Sequence, residues 1–239
     1  MTAIRQAAPR IVIATPHPRY DGLERILREV HGFEVTRLRQ RDELDPERLA
    51  ALAPDFVFFP HWSWIIPKAV HERFECVIFH MTDVPYGRGG SPLQNLIVRG
   101  HQETRLTALK CSGELDAGPV YLKKPLSLMG SAEEIFVRAA HLMEGMVVEI
   151  ALDRPTPQPQ SGPVTVFTRR GPQDGDLHGL DSLARVHDHI RMLDAEGYPR
   201  AFLLAGHLRL EFERSRLSHD HITADVRISI AKAPEGNES

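Results

Sequence analysis

The stretch RIVIATPHPRYDGLERILREVHGFEVTRL, from Arg10 to Leu38, decides the fold. Arg10 to Thr15 is a β-branched run that ends at the breakers Pro16 and Pro18, which predicts a buried strand entering a loop. Asp21 then stands as the N-cap of a helix whose apolar residues Leu23, Ile26, Leu27 and Val30 recur at helical spacing, and Gly32 stops it. Phe33 to Leu38 alternates as a second strand. A strand, a helix and a strand in so short a span imply a right-handed crossover and parallel pairing.

The same alternation continues outward. Asp45-Pro46 opens a short helix through Leu49, Ala50 and Leu52. Asp55 to Phe59 and Cys76 to Phe79 are two further apolar strands. The expected architecture is therefore a Rossmann-like, doubly wound α/β sheet, mostly parallel, with a small C-terminal α/β or β appendage. After His80 comes the Gly- and Pro-rich loop Asp83 to Gly90, then a helix from Ser91 to about Gly100 with Pro92 in its first turn. Arg105 to Lys110 and Pro119 to Lys123 read as paired strands joined by the turn Cys111 to Gly118. Ser131 and Glu134 form a capping box at the head of a long helix reaching Leu152. Arg154 to Gly162 (RPTPQPQSG) has three prolines in nine residues and reads as a linker. Residues 1–155 are thus the principal domain, 156–164 the linker and 165–239 a small C-terminal subdomain. Within the latter, Ser182 to Leu193 reads as a helix and Ala201 to Phe212 as a hairpin around Gly206, suited to a homodimer contact. Lys232 to Ser239 reads as frayed.

A chain of 239 residues can bury a core without disulfide or metal staples. Cys76 and Cys111 are too few for a disulfide framework and lack metal-ligand spacing, and the chain start has no secretory pattern, so a reducing cytoplasm is expected. No apolar run approaches the roughly 18 residues of a membrane span. The 29 basic and 32 acidic residues nearly cancel, which argues against a nucleic-acid partner. No G-x-G-x-x-G follows the first strand, which disfavours a dinucleotide. The His187-Asp188-His189 triplet is not a metal signature, because residues two apart do not share a helix face.

Three segments carry a family resemblance. IIPKAV (Ile65 to Val70), FHMTDVPYGRGGSPLQ (Phe79 to Gln94) and ETRLTALKCSGELDAGPV (Glu103 to Val120) resemble, without a gap from Pro67 to Gly118, the formyltransferases that use 10-formyltetrahydrofolate. Methionyl-tRNA formyltransferases and sugar-nucleotide N-formyltransferases belong to that family. The segment Ile190 to Gly206 is also similar to the family's C-terminal region. The resemblance implies His80 and Asp116 as catalytic residues. It implies a folate site on the turn carrying Trp64, Ile65 and Ile66, together with Leu115 and Asp116.

Formyl transfer to an amine requires removal of a proton from the attacking nitrogen and stabilisation of a tetrahedral oxyanion. His80, at the carboxyl end of a buried strand, can accept that proton or, as imidazolium, face the oxyanion. Asp116 can hold the imidazole in one tautomer. One position departs from the family pattern: its Asn, two residues before the His, is Ile78, which cannot donate to the formyl oxygen. Thr82, Gln94 and Asn95 lie near in sequence as replacement donors. Asp83 can contact a cationic amino group or cap its turn, and Arg88 can contact an anion or form a loop salt bridge. Tyr86 and Gly89 belong to the same substrate-side loop. His17 and Arg19 follow the first strand, where α/β enzymes meet substrates. The other histidines, His61 among them, read as structural or solvent-facing.

The expected activity is N-formyl transfer from 10-formyltetrahydrofolate to a small primary amine, with a nucleotide-linked amino sugar first. Charge balance and a chain shorter than typical tRNA-directed relatives favour it over tRNA. A tRNA-directed enzyme, or a hydrolytic or non-catalytic relative lacking the Asn, are the alternatives.

Overall fold

The computed structural model describes residues 7–231, so Lys232 to Ser239 lie outside the described residues. In chain order the elements of the first half are β1 (Arg10–Ala14), α1 (Asp21–Glu29), β2 (Glu34–Leu38), α2 (Pro46–Leu52), β3 (Phe56–Phe59), α3 (Lys68–His71) and β4 (Cys76–His80). They continue with β5 (Arg88–Gly89), α4 (Pro92–Val98), β6 (Glu103–Lys110), β7 (Val120–Ser127) and α5 (Ala132–Asp153). The last are β8 (Val166–Phe167), α6 (Leu183–Arg191), β9 (Ala201–Ala205), β10 (Leu208–Leu217) and β11 (Ile222–Ile230).

The chain forms two compact units that interleave along the sequence. Unit one comprises residues up to Gly89, then Thr104–Leu126 and Val137–Val166. Unit two comprises Gly90–Glu103, Ser127–Phe136 and the residues from Phe167 onward.

Unit one is built on a six-stranded sheet of order β2-β1-β3-β4-β6-β7. β1 pairs in parallel with β2 on one side and β3 on the other, and β3 with β4, as the sequence implied. β6 runs antiparallel to β4, with Ile78 opposite Leu109 and His80 opposite Thr107. Strand order reverses between β1 and β3, and loops leaving the carboxyl ends of β1, β3 and β4 open on that switch point, where α/β sheets bind ligands. Val12, Ala14, Leu38, Leu49, Val57, Phe59, Val70 and Cys76 form one buried cluster, each at most 1 % exposed. Each large side chain in such a cluster contributes about 1.5–3 kcal/mol of burial free energy.

Local signals account for most boundaries. Asp45 caps α2, its carboxylate accepting the Arg48 N–H at 2.8 Å. At the head of α5 the capping box forms in both directions: Ser131 N–H donates to the Glu134 carboxylate at 2.7 Å and Glu134 N–H to the Ser131 hydroxyl at 3.3 Å. Ala139, Met143, Met146, Val147 and Ile150 then line the buried stripe of that helix. Asp21 proves to be the first residue of α1 rather than its cap, which is Tyr20. Val30 is exposed, because the helix has ended before it.

In unit two, β9, β10 and β11 form an antiparallel sheet of order β11-β10-β9. Gly206-His207 makes the expected tight turn between β9 and β10. β11 was not foreseen, although its alternation Ile222, Ala224, Val226, Ile228, Ile230 is a period-2 strand signal. Buried Arg191 is fully engaged: Nη1 donates to the carbonyls of Leu128 and Gly130, and Nε to Asp188.

Candidate functional site

His80 is the last residue of β4 and only 7 % exposed. Its Nε2 lies 2.7 Å from the Gly87 carbonyl oxygen. A carbonyl only accepts, so Nε2 carries hydrogen in this contact. Its other nitrogen, Nδ1, stands 3.5 Å from Oδ2 of Asp116, itself 8 % exposed. The Gly87 carbonyl thus orients the ring through Nε2. The Asp116 carboxylate stands beside the nitrogen that remains open.

Two devices hold Asp116 there. Its backbone is left-handed, φ +51°, a conformation that costs a non-glycine residue about 1–3 kcal/mol and persists only when the surroundings impose it. Its Oδ2 accepts the N–H of Gly89 at 2.9 Å. Two residues on, a Cβ at Gly118 would collide with the Lys110 carbonyl oxygen, so glycine alone lets this turn close on the end of β6.

The Pro-rich linker supplies the next layer. Gln160 donates through Nε2 to the carbonyls of Asp116 and Gly118, both at 2.8 Å. Its Oε1 accepts from Nε and Nη2 of Arg88 at 3.1 and 2.8 Å. Gln158 exchanges main-chain hydrogen bonds with Val120. One residue beyond the predicted linker, Thr165 accepts from the N–H groups of Gly87 and Arg88 and donates to Pro85. This segment, read from sequence only as a spacer, ties the loop that positions His80 to the turn that positions Asp116. Its composition carried no signal of that role.

Ile78 shares a strand face with His80, two residues away. It is half-buried and packs on the apolar cluster beside Trp62, Ile66 and Cys111, and it offers no hydrogen-bonding group. The three replacement donors are committed elsewhere. Thr82 donates to the Gly87 carbonyl at 3.2 Å. In unit two, Gln94 donates to Met192, and the Asn95 amide donates to the carbonyls of Gly90, Ser91 and Thr168. Trp62 Nε1 is buried with no hydrogen-bond partner among the described residues.

On the loop after β4, the Asp83 carboxylate is already paired with Lys123 at 2.5 Å and stands 3.6 Å from Arg105. Arg88 makes no salt bridge among the described residues, because its guanidinium is held by the neutral Gln160 amide, so its charge is uncompensated. Tyr86 is half-buried, its main chain donating to the Asp83 carbonyl.

On the turn after β3, Trp64 packs edge-on against Trp62 with ring centroids 4.7 Å apart. Ile65 is 88 % and Leu115 71 % exposed, apolar side chains held in water on the loops after β3 and β6. Near the end of β1, the His17 ring lies 5.3 Å from that of His61. Burial, with the Asp116 carboxylate behind it, pushes the Cys111 thiol up to about 11. No grouping of three metal-ligating side chains occurs among the described residues, and none of their helices is long and apolar enough to cross a membrane.

The mostly parallel six-stranded sheet with a nearly buried His–Asp pair at its carboxyl edge is an α/β architecture of a kind that hosts many chemistries. Residues 4–148 match the formyl transferase family, and residues 172–229 match the C-terminal domain of methionyl-tRNA formyltransferase. The chain belongs to the formyl transferase family, whose members catalyse 10-formyltetrahydrofolate-dependent formyl transfer. A solved structure described as methionyl-tRNA formyltransferase from Clostridium thermocellum is 44 % identical, with a TM-score of 0.90. The match covers 93 % of this chain and all of that one. The methionyl-tRNA formyltransferase of Gluconobacter oxydans is 29 % identical over 80 % of this chain and 67 % of its own. A structure described as a likely sugar N-formyltransferase from Mycobacterium tuberculosis shares the fold at 19 % identity, with a TM-score of 0.68. There the match covers 83 % of this chain and 93 % of that one. The chain spans between 41 % and 67 % of the length of the curated relatives it matches.

Proposed function

We propose that this chain transfers the formyl group of 10-formyltetrahydrofolate to a primary amine, with His80 as proton acceptor and Asp116 as its charge partner. The observation that carries the proposal is the nearly buried His80–Asp116 pair, 3.5 Å apart at the carboxyl end of β4. The attacking amine must shed a proton as its bond to the formyl carbon forms. With Nε2–H tied to the Gly87 carbonyl, Nδ1 is the ring nitrogen left to take that proton. The Asp116 carboxylate then faces the new positive charge and stabilises it. His80 returns the proton to the departing nitrogen. When bound, 10-formyltetrahydrofolate supplies a formyl group on a nitrogen leaving group. Trp64, Ile65, Ile66 and Leu115, with Asp116, are the residues we assign to holding it.

For the acceptor we favour a nucleotide-linked amino sugar. The segment Phe167 to Ala231 carries nine basic and ten acidic residues, which gives it no electrostatic footprint for tRNA. The uncompensated Arg88 beside the site suits a phosphate group. A second acceptor, methionyl-tRNA, is favoured by the 44 % identity that extends over the whole of the C. thermocellum protein.

Labelled 10-formyltetrahydrofolate incubated with nucleotide-linked amino sugars, with methionyl-tRNA and with no acceptor separates these outcomes. Label on the sugar amine supports the first acceptor and label on methionyl-tRNA the second. Free formate without acceptor would replace transfer with hydrolysis.

A further inference from the structure

We infer that the indole N–H of Trp62 is the hydrogen-bond donor that meets the formyl oxygen, in place of the amide that Ile78 cannot supply. The inference rests on the formyl-transfer reading above and adds a catalytic residue to it.

Strand register puts Trp62 on the face of the sheet that carries the site. In β4 the side chains of Cys76, Ile78 and His80 alternate onto one face, and Phe59 of β3 is the register partner of Ile78. The chain leaves β3 at Phe59 and turns at His61, whose φ of +53° is left-handed. That turn returns the Trp62 ring edge-on to Phe59, with centroids 5.7 Å apart. Trp62 and Ile78 pack on the same buried cluster. The indole therefore shares its face of the sheet with the residue that departs from the family pattern, at the carboxyl edge where β4 ends in His80.

Trp62 Nε1 is buried and has no hydrogen-bond partner among the described residues. An indole N–H only donates, and buried ones usually find an acceptor. A buried donor left unpaired is costly to keep, and at a site that must hold a developing oxyanion it calls for an acceptor from outside the chain. No other side chain packed beside Ile78 on the cluster competes for the role. Leu52, Ile66 and Phe74 are hydrocarbon, and the Cys111 thiol donates to the Ser112 carbonyl at 3.9 Å.

The role in the reaction follows from where charge appears. As the amine nitrogen bonds to the formyl carbon, the C=O electron pair moves onto the formyl oxygen and the amine proton passes to Nδ1 of His80. The Trp62 N–H meets that oxygen as its charge develops, the point at which a fixed donor in a dry site acts most strongly. When the electron pair returns, the bond from carbon to the folate nitrogen breaks and that nitrogen takes the His80 proton. Trp62 keeps its own hydrogen throughout, so it stabilises the anion without entering the proton balance.

Trp62→Phe keeps an aromatic ring against Phe59 and removes the donor. It is expected to lower kcat by about a hundredfold, the usual worth of one oxyanion donor, with KM for 10-formyltetrahydrofolate changed far less. Adding Ile78→Asn to Trp62→Phe is expected to raise kcat by about a hundredfold, against about tenfold in the wild type, where one donor already stands. A mere packing defect would not be repaired by a new amide. A second readout needs no turnover. Trp62 and Trp64 are the only tryptophans, so the chain labelled at its indole nitrogens gives two N–H signals by nuclear magnetic resonance, and Trp62→Phe assigns them. Without acceptor, 10-formyltetrahydrofolate should move the Trp62 N–H proton downfield, and tetrahydrofolate, which lacks the formyl oxygen, should not. Equal shifts with the two folates, or wild-type kcat in a folded Trp62→Phe, would overturn the donor and leave formyl transfer standing. A chain that binds neither folate and transfers nothing would overturn the formyl-transfer reading, and this inference with it.

Discussion

Gln160 donates to the carbonyl of Asp116 at 2.8 Å, and so a residue of the Pro-rich segment holds the backbone of the site carboxylate in its left-handed conformation. The same side chain grips Arg88 on the loop whose Gly87 carbonyl fixes the His80 ring. Removing it loosens both members of the pair at once. Gln160→Ala should lower kcat by about tenfold, since sub-ångström misplacement of reacting groups is costly, with a smaller change in KM. Steady-state kinetics alongside circular dichroism checks this; an unchanged kcat in a folded variant would reduce Gln160 to a surface contact.

His80→Ala and Asp116→Asn should each lower turnover by at least about a hundredfold, the usual size of an acid–base contribution. Asp116→Asn preserves shape and removes only charge, so its loss would report the stabilisation of protonated His80. Wild-type turnover in either variant would remove that residue from the chemistry.

Ile78 occupies the position from which the family's Asn meets the formyl oxygen, and Thr82, Gln94 and Asn95 are all engaged in other hydrogen bonds. Restoring the donor with Ile78→Asn should raise kcat by about tenfold or more, because one oxyanion donor is commonly worth a hundredfold. It should also cost about 1–3 kcal/mol of stability, because the new amide faces an apolar cluster. Turnover and thermal unfolding of the same preparation read both effects.

The Cys111 thiol, raised to about 11 by burial and the Asp116 carboxylate, is almost wholly protonated near neutral pH. Only thiolate reacts with iodoacetamide. Alkylation of Cys111 should therefore be slow at pH 8 and climb by about tenfold per pH unit up to pH 10. In Asp116→Asn the climb should begin lower. Mass spectrometry of the modified peptide follows the rate, and a plateau near pH 9 would contradict the shift.

Much of this was legible in the chain before any coordinates. The run Arg10 to Leu38 dictated the first parallel unit because β-branched and helical periods are local properties. The Ser131–Glu134 box located α5 for the same reason. His80 and Asp116 were singled out by the family resemblance of the segments around them, and the structure brings the two side chains to 3.5 Å. The layer behind them was not. Gln160 acts over 44 residues of sequence through one side chain, and nothing in RPTPQPQSG distinguishes a strap from a spacer. The Gly87 contact that orients the His80 ring is a main-chain carbonyl, which no residue type announces. β11 was visible in principle, as an alternation of five apolar residues.

The most direct measurement is tetrahydrofolate release from 10-formyltetrahydrofolate, followed with and without an amine acceptor in the wild type and in His80→Ala. Release that requires acceptor, places the formyl group on its amine and falls at least about a hundredfold in His80→Ala is the expected result. Acceptor-independent release of formate, or equal rates in the two proteins, would contradict transfer through His80.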